Sequence, residues 1–448
     1  MKIRPSIPKG MRDFSSKEMF RRNYIFETFK KAFECYGFAP IETPAMENIE
    51  TLSDKYSDEG DRLIFKVLNS GDFLSKIKIN DKIDSKLLIK DISEKALRYD
   101  LTVPFARFVV QNRNNIFFPF KRYQMQNVWR GDKPQKGRYR EFYQCDADII
   151  GTDSLLCEVE LVQLYDDVFT KLNIPNIEIL INNRKILSGM VKLMGATSLF
   201  DDVVVALDKL NTIGLDKVKD EMQAKGVKSE SFSILDAFLN TKDINDLSSL
   251  LEQSEIGKKG LEELQFVIKN SSNLGLQSAN LVFDITLARG LNYYTGCVLE
   301  VNTNDVQIGA IGGGGRYDNL TSVFGLEDIS GVGISFGIDR IYLVMEELGL
   351  FPKNIDVSTR VMFVNFGEDE AAHCLTLLKE LRAKGISSEM YPKAVKMKKQ
   401  MNYANNKGVQ FVIMLGANEI DSGVLTVKDM NSGEQTNLNI TDLIKQLL

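Results

Sequence analysis

Residues 120–151 read FKRYQMQNVWRGDKPQKGRYREFYQCDADIIG. Two strand-like runs flank a basic loop, DKPQKGRYR. Side chains alternate across a strand, so Arg122, Gln124, Gln126, Val128 and Arg130 share one face of the first run. On the second run Phe142, Gln144, Asp146 and Asp148 share a face, while Tyr143, Cys145, Ala147 and Ile149 take the other. A polar sheet face turned to water ordinarily carries solubilising Lys and Glu. Here the polar positions carry Gln and Asp, and an Arg stands where the first strand enters the loop, which predicts a sheet floor that holds a polar ligand.

The composition around this segment narrows the function classes. At 448 residues, 44% hydrophobic and 26% charged, the chain is expected to be a soluble globular protein of two or three domains. No apolar run approaches the roughly 20 residues that cross a bilayer. The basic start, MKIRPSIPKG, has no apolar stretch behind it, so no secretory signal is expected. Cys35, Cys145, Cys157, Cys297 and Cys374 are scattered without a CxxC pair, which fits a reducing cytoplasm and argues against a disulfide framework or structural zinc. A net charge of −5 argues against nonspecific coating of nucleic acid, yet leaves room for a local basic surface. The single histidine, His373, is far in sequence from every motif discussed here. A histidine base or a Ser/His/Asp triad is thereby close to excluded, so the chemistry must run on arginines, carboxylates, amides and metal ions.

Working outward, Met19, Phe26, Phe29, Phe33 and Tyr36 recur at helical spacing and predict an amphipathic helix over 16–36, ended by Gly37. FAPIETPAM then reads as extended chain interrupted by Pro40 and Pro44. Residues 66–96 predict a solvent-facing hairpin, and Thr102 with Pro104 predicts a helix start with Thr102 as its cap. A further amphipathic helix is expected over 155–172, and 185–266 reads as helical segments with polar joints and no catalytic motif. The strand pattern returns at LVFDITLARGLNYYTGCVLEV and runs through IGAIGGGGRYDNL to GVGISFGIDRIYLVMEEL. Ile338, Ile341, Tyr342, Met345 and Leu348 then mark a final helix stripe. After FPKN at 351–354, alternating strands and helices predict a separate α/β domain.

The segment WRGDKPQKGRYREFYQCDADIIG resembles the strand–loop–strand signature of class II aminoacyl-tRNA synthetases, and specifically that of the histidyl-tRNA synthetase family. LARGLNYYTG, the glycine run with RYD and GVGISFGIDR extend the likeness over nearly the whole chain. The resemblance implies an α+β fold: a class II antiparallel sheet flanked by helices, with a helical insertion and a C-terminal α/β anticodon-binding domain. The corresponding division is 1–184 and 267–350 for the catalytic domain, 185–266 for the insertion and 355–448 for the C-terminal domain. The long first helix and following strand resemble the signature that forms the dimer interface in that family, so a homodimer is implied.

Activating a carboxylate with ATP requires positive groups on the phosphates, a slot for adenine and a hold on the attacking carboxylate. Arginine suits the first task, because its fork of donors stays charged and binds oxyanions in pairs. The resemblance implies that Arg130 binds the α-phosphate and the substrate carboxylate, and that Arg289 serves where other class II enzymes place a metal ion. It implies that Arg340 clamps the γ-phosphate from the first turn of the last helix, and that Phe142 stacks on adenine. For histidine it assigns Asp100, Thr102 and Gln144 to the amino group, and Asp148 with Tyr294 to the ring; Tyr293 shares that pocket. ATP and Mg²⁺, L-histidine and tRNA(His) are the implied cofactors and partners. Asn292 stands where the family more often has Asp, and Asp148 and Asp100 are shorter than the Glu of some bacterial relatives. The rival reading is a histidine-sensing regulatory subunit of ATP phosphoribosyltransferase, a paralogue class that lacks the C-terminal domain and loses catalytic arginines.

The glycine runs carry no nucleotide fingerprint of their own. GGGGRYD lacks the Lys-Ser or Lys-Thr of a phosphate loop, and GVGISFG spaces its glycines too widely for a dinucleotide turn. They are expected to let strands lie close under a ligand. In the C-terminal domain, KAVKMKKQMNYANNKG has no acidic residue between Tyr391 and Asn418, a basic face suited to RNA backbone and unstacked bases.

Overall fold

A computed structural model describes residues 4–52, 63–74, 85–241, 243–288, 294–353 and 355–448. The chain forms two compact units, one built mainly from Arg22–Phe351 and the other from Phe14–Arg21 with Pro352–Leu448.

In the first unit the strands are β1 (Ala39–Pro40), β2 (Met46–Asn48), β3 (Lys66–Val67), β4 (Lys95–Leu97), β5 (Phe120–Trp129), β6 (Glu141–Ile150), β7 (Ile177–Asn183), β8 (Ala279–Phe283), β9 (Cys297–Thr303), β10 (Gly312–Tyr317) and β11 (Gly331–Phe336). Eight of them form one sheet in the order β1-β5-β6-β11-β10-β9-β7-β8. Its pairs are antiparallel except β1–β5 and β7–β8. The β5–β6 register sets Arg122 opposite Asp148, Gln124 opposite Asp146, Gln126 opposite Gln144 and Val128 opposite Phe142. The period-2 reading of the sequence therefore assembles one continuous polar face. The opposite face is apolar: Tyr123, Cys145, Ala147 and Ile149 pack with Phe29 and Phe33 of the helix Ser16–Cys35 and with Tyr165 and Phe169 of the helix Leu156–Lys171. Each fully buried Phe of this layer contributes roughly 1.5–3 kcal/mol.

Three local expectations are corrected. The buried face of the first helix is Arg22, Ile25, Phe29, Ala32 and Phe33, whereas Met19 is exposed. Arg22 belongs there because its guanidinium donates to Asp339 at 2.6 Å, a partner that apolar periodicity cannot reveal. Residues 66–96 are no simple hairpin: β3 and β4 do pair antiparallel, but β4 also pairs with β2, and the helix Ser85–Ile92 precedes it. Finally, Thr102 opens the helix Thr102–Asn112 without capping it. Asp100 accepts from the Val103 N–H at 3.2 Å instead, because a capping side chain must reach forward from a residue ahead of the first turn.

Between β7 and β8 the chain makes a long helical excursion, from Arg184–Leu193 to Glu255–Leu274. Its buried residues, among them Val203, Leu207, Leu235 and Phe238, join the same apolar core as the sheet. Behind β10, the Arg316 side chain donates to both oxygens of the fully buried Glu158 at 2.5 and 2.6 Å, tying the sheet to the helix Leu156–Lys171.

The second unit carries β12 (Val361–Phe363), β13 (Ser388–Met390), β14 (Phe411–Met414), β15 (Leu425–Asp429) and β16 (Gln435–Leu438) in the order β13-β12-β14-β15-β16. The first three are parallel and the last two antiparallel. Val361, Phe363 and Ile413 face a core with Cys374, Leu378 and Leu443, while Met362, Val364 and Val412 pack on the opposite side with Ala404. This is the α/β domain expected after residue 354.

Candidate active site

The polar face of β5 and β6 floors two cavities. An inner one of about 190 Å³ is lined by Thr102, Arg130, Gln144, Asp146, Asp148 and Tyr294, closed by Tyr317, Gly333 and Ser335. An outer one of about 600 Å³ is lined by Arg130, Phe142, Gln144 and Arg340, with the 132–139 loop and Gly309–Gly313. Arg130, Gln144, Gly313 and Ser335 line both, so they stand where the two cavities meet.

Arg130 is fixed from two sides. Its Nε donates to the Tyr99 carbonyl at 2.8 Å, and its guanidinium carbon lies 5.2 Å from the Phe142 ring centroid. Arg340, in the first turn of the helix Ile338–Glu347, donates from Nη1 to the Ala310 carbonyl at 2.5 Å and from Nε to the Gly137 carbonyl at 3.3 Å. Asp339, beside it, is held by Arg12 at 2.5 Å and Arg22 at 2.6 Å. The outer cavity thus has an aromatic face and guanidinium groups at separate points, the equipment an ATP-sized polyanion needs.

The inner cavity has the opposite electrostatic character. Asp148 is buried, with Oδ2 2.8 Å from Arg122 Nη2 and Oδ1 accepting from the Tyr317 hydroxyl at 2.6 Å. Burial pushes its carboxyl up, opposed by the Arg122 charge and the Tyr317 hydrogen bond. Burial pushes Asp146 up to about 7 against the pull of Arg122, and Asp100 to about 6 against the pull of Arg130. Asp146 Oδ1, Asp100 Oδ2 and Gln144 Oε1 are buried without a hydrogen-bond partner among the described residues. Buried acceptors left this way are costly unless a donor arrives, so the cavity is built for a donor-rich, cationic guest.

The glycines behave as expected. A Cβ on Gly333 would stand 2.0 Å from Asp148 Oδ1, and one on Gly315 would stand 2.6 Å from the Cys297 carbonyl and 2.9 Å from the Tyr294 ring. Only glycine leaves room there for the carboxylate and for the ring.

Of the residues singled out from sequence, Thr102, Arg130, Gln144, Asp148 and Tyr294 meet at the inner cavity, and Arg130, Phe142 and Arg340 at the outer. Asp100 is not part of that lining; it caps the helix Thr102–Asn112. Arg289, Asn292 and Tyr293 lie outside the described residues. Sequence reasoning left Asp146, Arg122 and Tyr317 out of the site. Strand alternation had already put Arg122 and Asp146 on the ligand face; Tyr317 gave no such signal, since its role depends on β10 reaching Asp148 through β11.

In the second unit, Lys393, Lys396, Lys398, Lys399, Asn402, Asn405 and Asn406 are exposed on and before the helix Met397–Lys407. Tyr403 packs edge-on to Tyr391 at 5.3 Å between ring centroids and is itself 39% exposed. Basic side chains interleaved with amides and an exposed aromatic form a surface suited to single-stranded RNA.

A family model described as histidyl-tRNA synthetase matches residues 10–341, and one described as an anticodon binding domain matches residues 360–448. The chain is 54% identical to histidine--tRNA ligase of Christiangramia forsetii over 99% of both chains, and 51% identical to that of Bacteroides fragilis over the full length of both. The crystal structure of histidyl-tRNA synthetase from Nostoc sp. superposes with a TM-score of 0.83 at 30% identity, covering 100% of both chains. A Bacillus halodurans structure titled as an ATP phosphoribosyltransferase regulatory subunit/histidyl-tRNA synthetase shares the fold, with a TM-score of 0.74 at 21% identity. The chain belongs to the histidyl-tRNA synthetase family.

Proposed function

We propose that this member of the family activates L-histidine with ATP and transfers it to tRNA(His). In the first step a histidine carboxylate oxygen attacks the α-phosphorus, the bond to the bridging oxygen breaks, and pyrophosphate leaves with that electron pair. In the second, the terminal ribose hydroxyl of the tRNA attacks the carbonyl of histidyl-adenylate and AMP departs. The observation that carries this reading is the placement of Arg130 in the lining of both cavities. There one guanidinium reaches the carboxylate of a guest in the acidic pocket and the α-phosphate of a nucleotide in the outer one.

Phe142 stacks on the adenine and Arg340 takes the γ-phosphate. Arg289 adds positive charge at the α-phosphate. The family likeness assigns Asp100, Thr102 and Gln144 to the ammonium, and Asp148, Tyr294 and Tyr293 to the imidazole; of these Thr102, Gln144, Asp148 and Tyr294 line the inner cavity. An apolar side chain of similar size would leave these buried polar groups unpaired, which is the strongest form of rejection a site has.

Among the described residues, no three His, Cys, Asp or Glu side chains stand together as a metal cage. Mg²⁺ would enter on the ATP phosphates and neutralise their charge; the acids that line the outer cavity are Asp132, Asp208 and Asp339, with Asp132 paired to Arg138 and Asp339 to Arg12 and Arg22. The exposed basic helix of the C-terminal domain reads the tRNA. We place the enzyme in the cytoplasm as a homodimer. No described helix is long and apolar enough to cross a membrane.

Arg130→Ala and Arg289→Ala test the assignment. Each is expected to lower histidine-dependent ATP–pyrophosphate exchange by about 100-fold or more while the fold persists. Near-normal exchange in either variant removes that arginine from the mechanism. The regulatory-subunit reading predicts histidine binding without exchange in the unaltered protein; the C-terminal domain and Arg130 and Arg340 in the cavities favour catalysis.

A further inference from the structure

The inner cavity contains one carboxylate that the roles above leave idle. Asp146 is 2% exposed and lines the cavity. Ser335, opposite it in the β6–β11 register, hydrogen-bonds its carboxylate, while Oδ1 has no hydrogen-bond partner among the described residues. Gln144, the preceding residue on the same strand face, is in the same state. Its Nε2 donates to Ser335 Oγ at 3.4 Å and its Oε1 is unpartnered among the described residues. The neighbour on the other side differs, because both oxygens of Asp148 are engaged, one by Arg122 and one by Tyr317.

The order along the strand decides which end of the guest Asp146 meets. Phe142 lines the outer cavity, Gln144 both, and Asp146 and Asp148 only the inner one. A substrate carboxylate held at Arg130 lies level with the shared mouth, and its ammonium is only one carbon further in. The ring lies deeper, toward Asp148 and Tyr294. An ammonium has three N–H donors that spread tetrahedrally and no acceptor. Thr102 Oγ, Gln144 Oε1 and Asp146 Oδ1 are three acceptors on the cavity wall near that level.

We propose that Asp146 is a binding and specificity residue that accepts a hydrogen bond from the α-ammonium of the amino acid and supplies its counter-charge, alongside Gln144 and Thr102. The proposal rests on the reading that the inner cavity takes histidine. Asp100, outside the lining and bonded to the Val103 N–H, then acts on the ammonium through the field of the site more than by direct contact.

The test compares the full-length enzyme with its Asp146→Asn variant in histidine-dependent ATP–pyrophosphate exchange. The probe is 3-(imidazol-4-yl)propanoate, which is histidine without its ammonium, used as a competitive inhibitor. The variant is expected to raise KM for histidine about 10- to 100-fold, with KM for ATP and the inhibition constant of the probe within about twofold of the parent. An unchanged KM for histidine overturns the proposal. So does a probe constant that rises in step with KM, since the loss would then be general to the pocket. Should the variant not fold, the parent enzyme decides: the probe is expected to bind at least about 10-fold more weakly than histidine, and equal affinity overturns the proposal. Histidine-dependent exchange by the parent enzyme tests the underlying function separately, so the two ideas fail in different experiments.

Discussion

Arg122 and Asp148 face each other across the β5–β6 pair, 2.8 Å apart between Nη2 and Oδ2, and both are buried. The arginine guanidinium also lies over the Phe105 ring, 4.3 Å from its centroid. An ion pair this deep does little for net stability compared with apolar side chains of the same volume. Its use is to keep a charged carboxylate at the bottom of a small cavity, oriented by Arg122 on one oxygen and by the Tyr317 hydroxyl on the other.

Removing only the arginine strands that charge. Arg122→Met is expected to destabilise the first unit by about 3–5 kcal/mol in urea unfolding, and the double variant with Asp148→Asn by clearly less. Equal losses in the single and double variants would show that the two side chains do not act as a pair.

Gly333→Ala adds a Cβ that would stand 2.0 Å from Asp148 Oδ1. The strand is held from both sides, because Gly333 pairs with Asp148 of β6 and with Gly315 of β10. The carboxylate must turn instead. The expected result is a rise of about tenfold or more in KM for histidine with little change in KM for ATP. Parallel kinetics of parent and variant check it.

Phe142→Ala removes one aromatic face of the outer cavity, which Tyr139 and Tyr143 also line, and leaves the inner lining unchanged. KM for ATP is expected to rise about tenfold, from the ordinary worth of one stacked base, with KM for histidine nearly unchanged. A variant that loses histidine and keeps ATP would reverse the order of the two cavities.

Asp100 gives a pH signature. Burial raises its folded carboxyl to about 6, opposed by Arg130, Arg122 and the Val103 N–H and reinforced by Asp148. An acid whose folded value lies above the unfolded one favours folding while protonated. Its contribution is complete below about pH 4 and is lost as pH rises through about 6. Asp100→Asn cannot ionise and can still cap the helix. The stability of the parent relative to this variant is therefore expected to fall between pH 4 and pH 7, read by urea unfolding at each pH. A flat or rising difference would mean that Asp100 is ionised throughout.

Much of the site was legible because β5 and β6 obey strict alternation over ten residues each. Period two alone places Arg122, Gln124, Gln144, Asp146 and Asp148 on one face, and the family likeness supplies roles for Arg130, Phe142 and Arg340. What escaped depends on long-range partners. Thr102 looked like a cap, but Asp100 reaches the helix start and leaves the Thr102 side chain on the cavity wall. Tyr317 reaches Asp148 across β11 because two glycines there lack side chains: a Cβ on Gly331 would stand 2.4 Å from the Tyr317 ring, and one on Gly333 2.0 Å from Asp148 Oδ1. The buried Arg22 sits on a helix face read as purely apolar, since its partner Asp339 is more than three hundred residues away in sequence. Local pattern carries the faces of elements; it does not carry which charged groups meet when distant elements pack.

Histidine-dependent ATP–pyrophosphate exchange, run with each of the twenty amino acids and without tRNA, tests the two-cavity account as a whole. Exchange with histidine alone is predicted, because only an ammonium and an imidazole together satisfy the acceptors around Asp146 and Asp148. Histidine binding without exchange would contradict the role of Arg130, and exchange with another amino acid would contradict the assignment of the inner cavity.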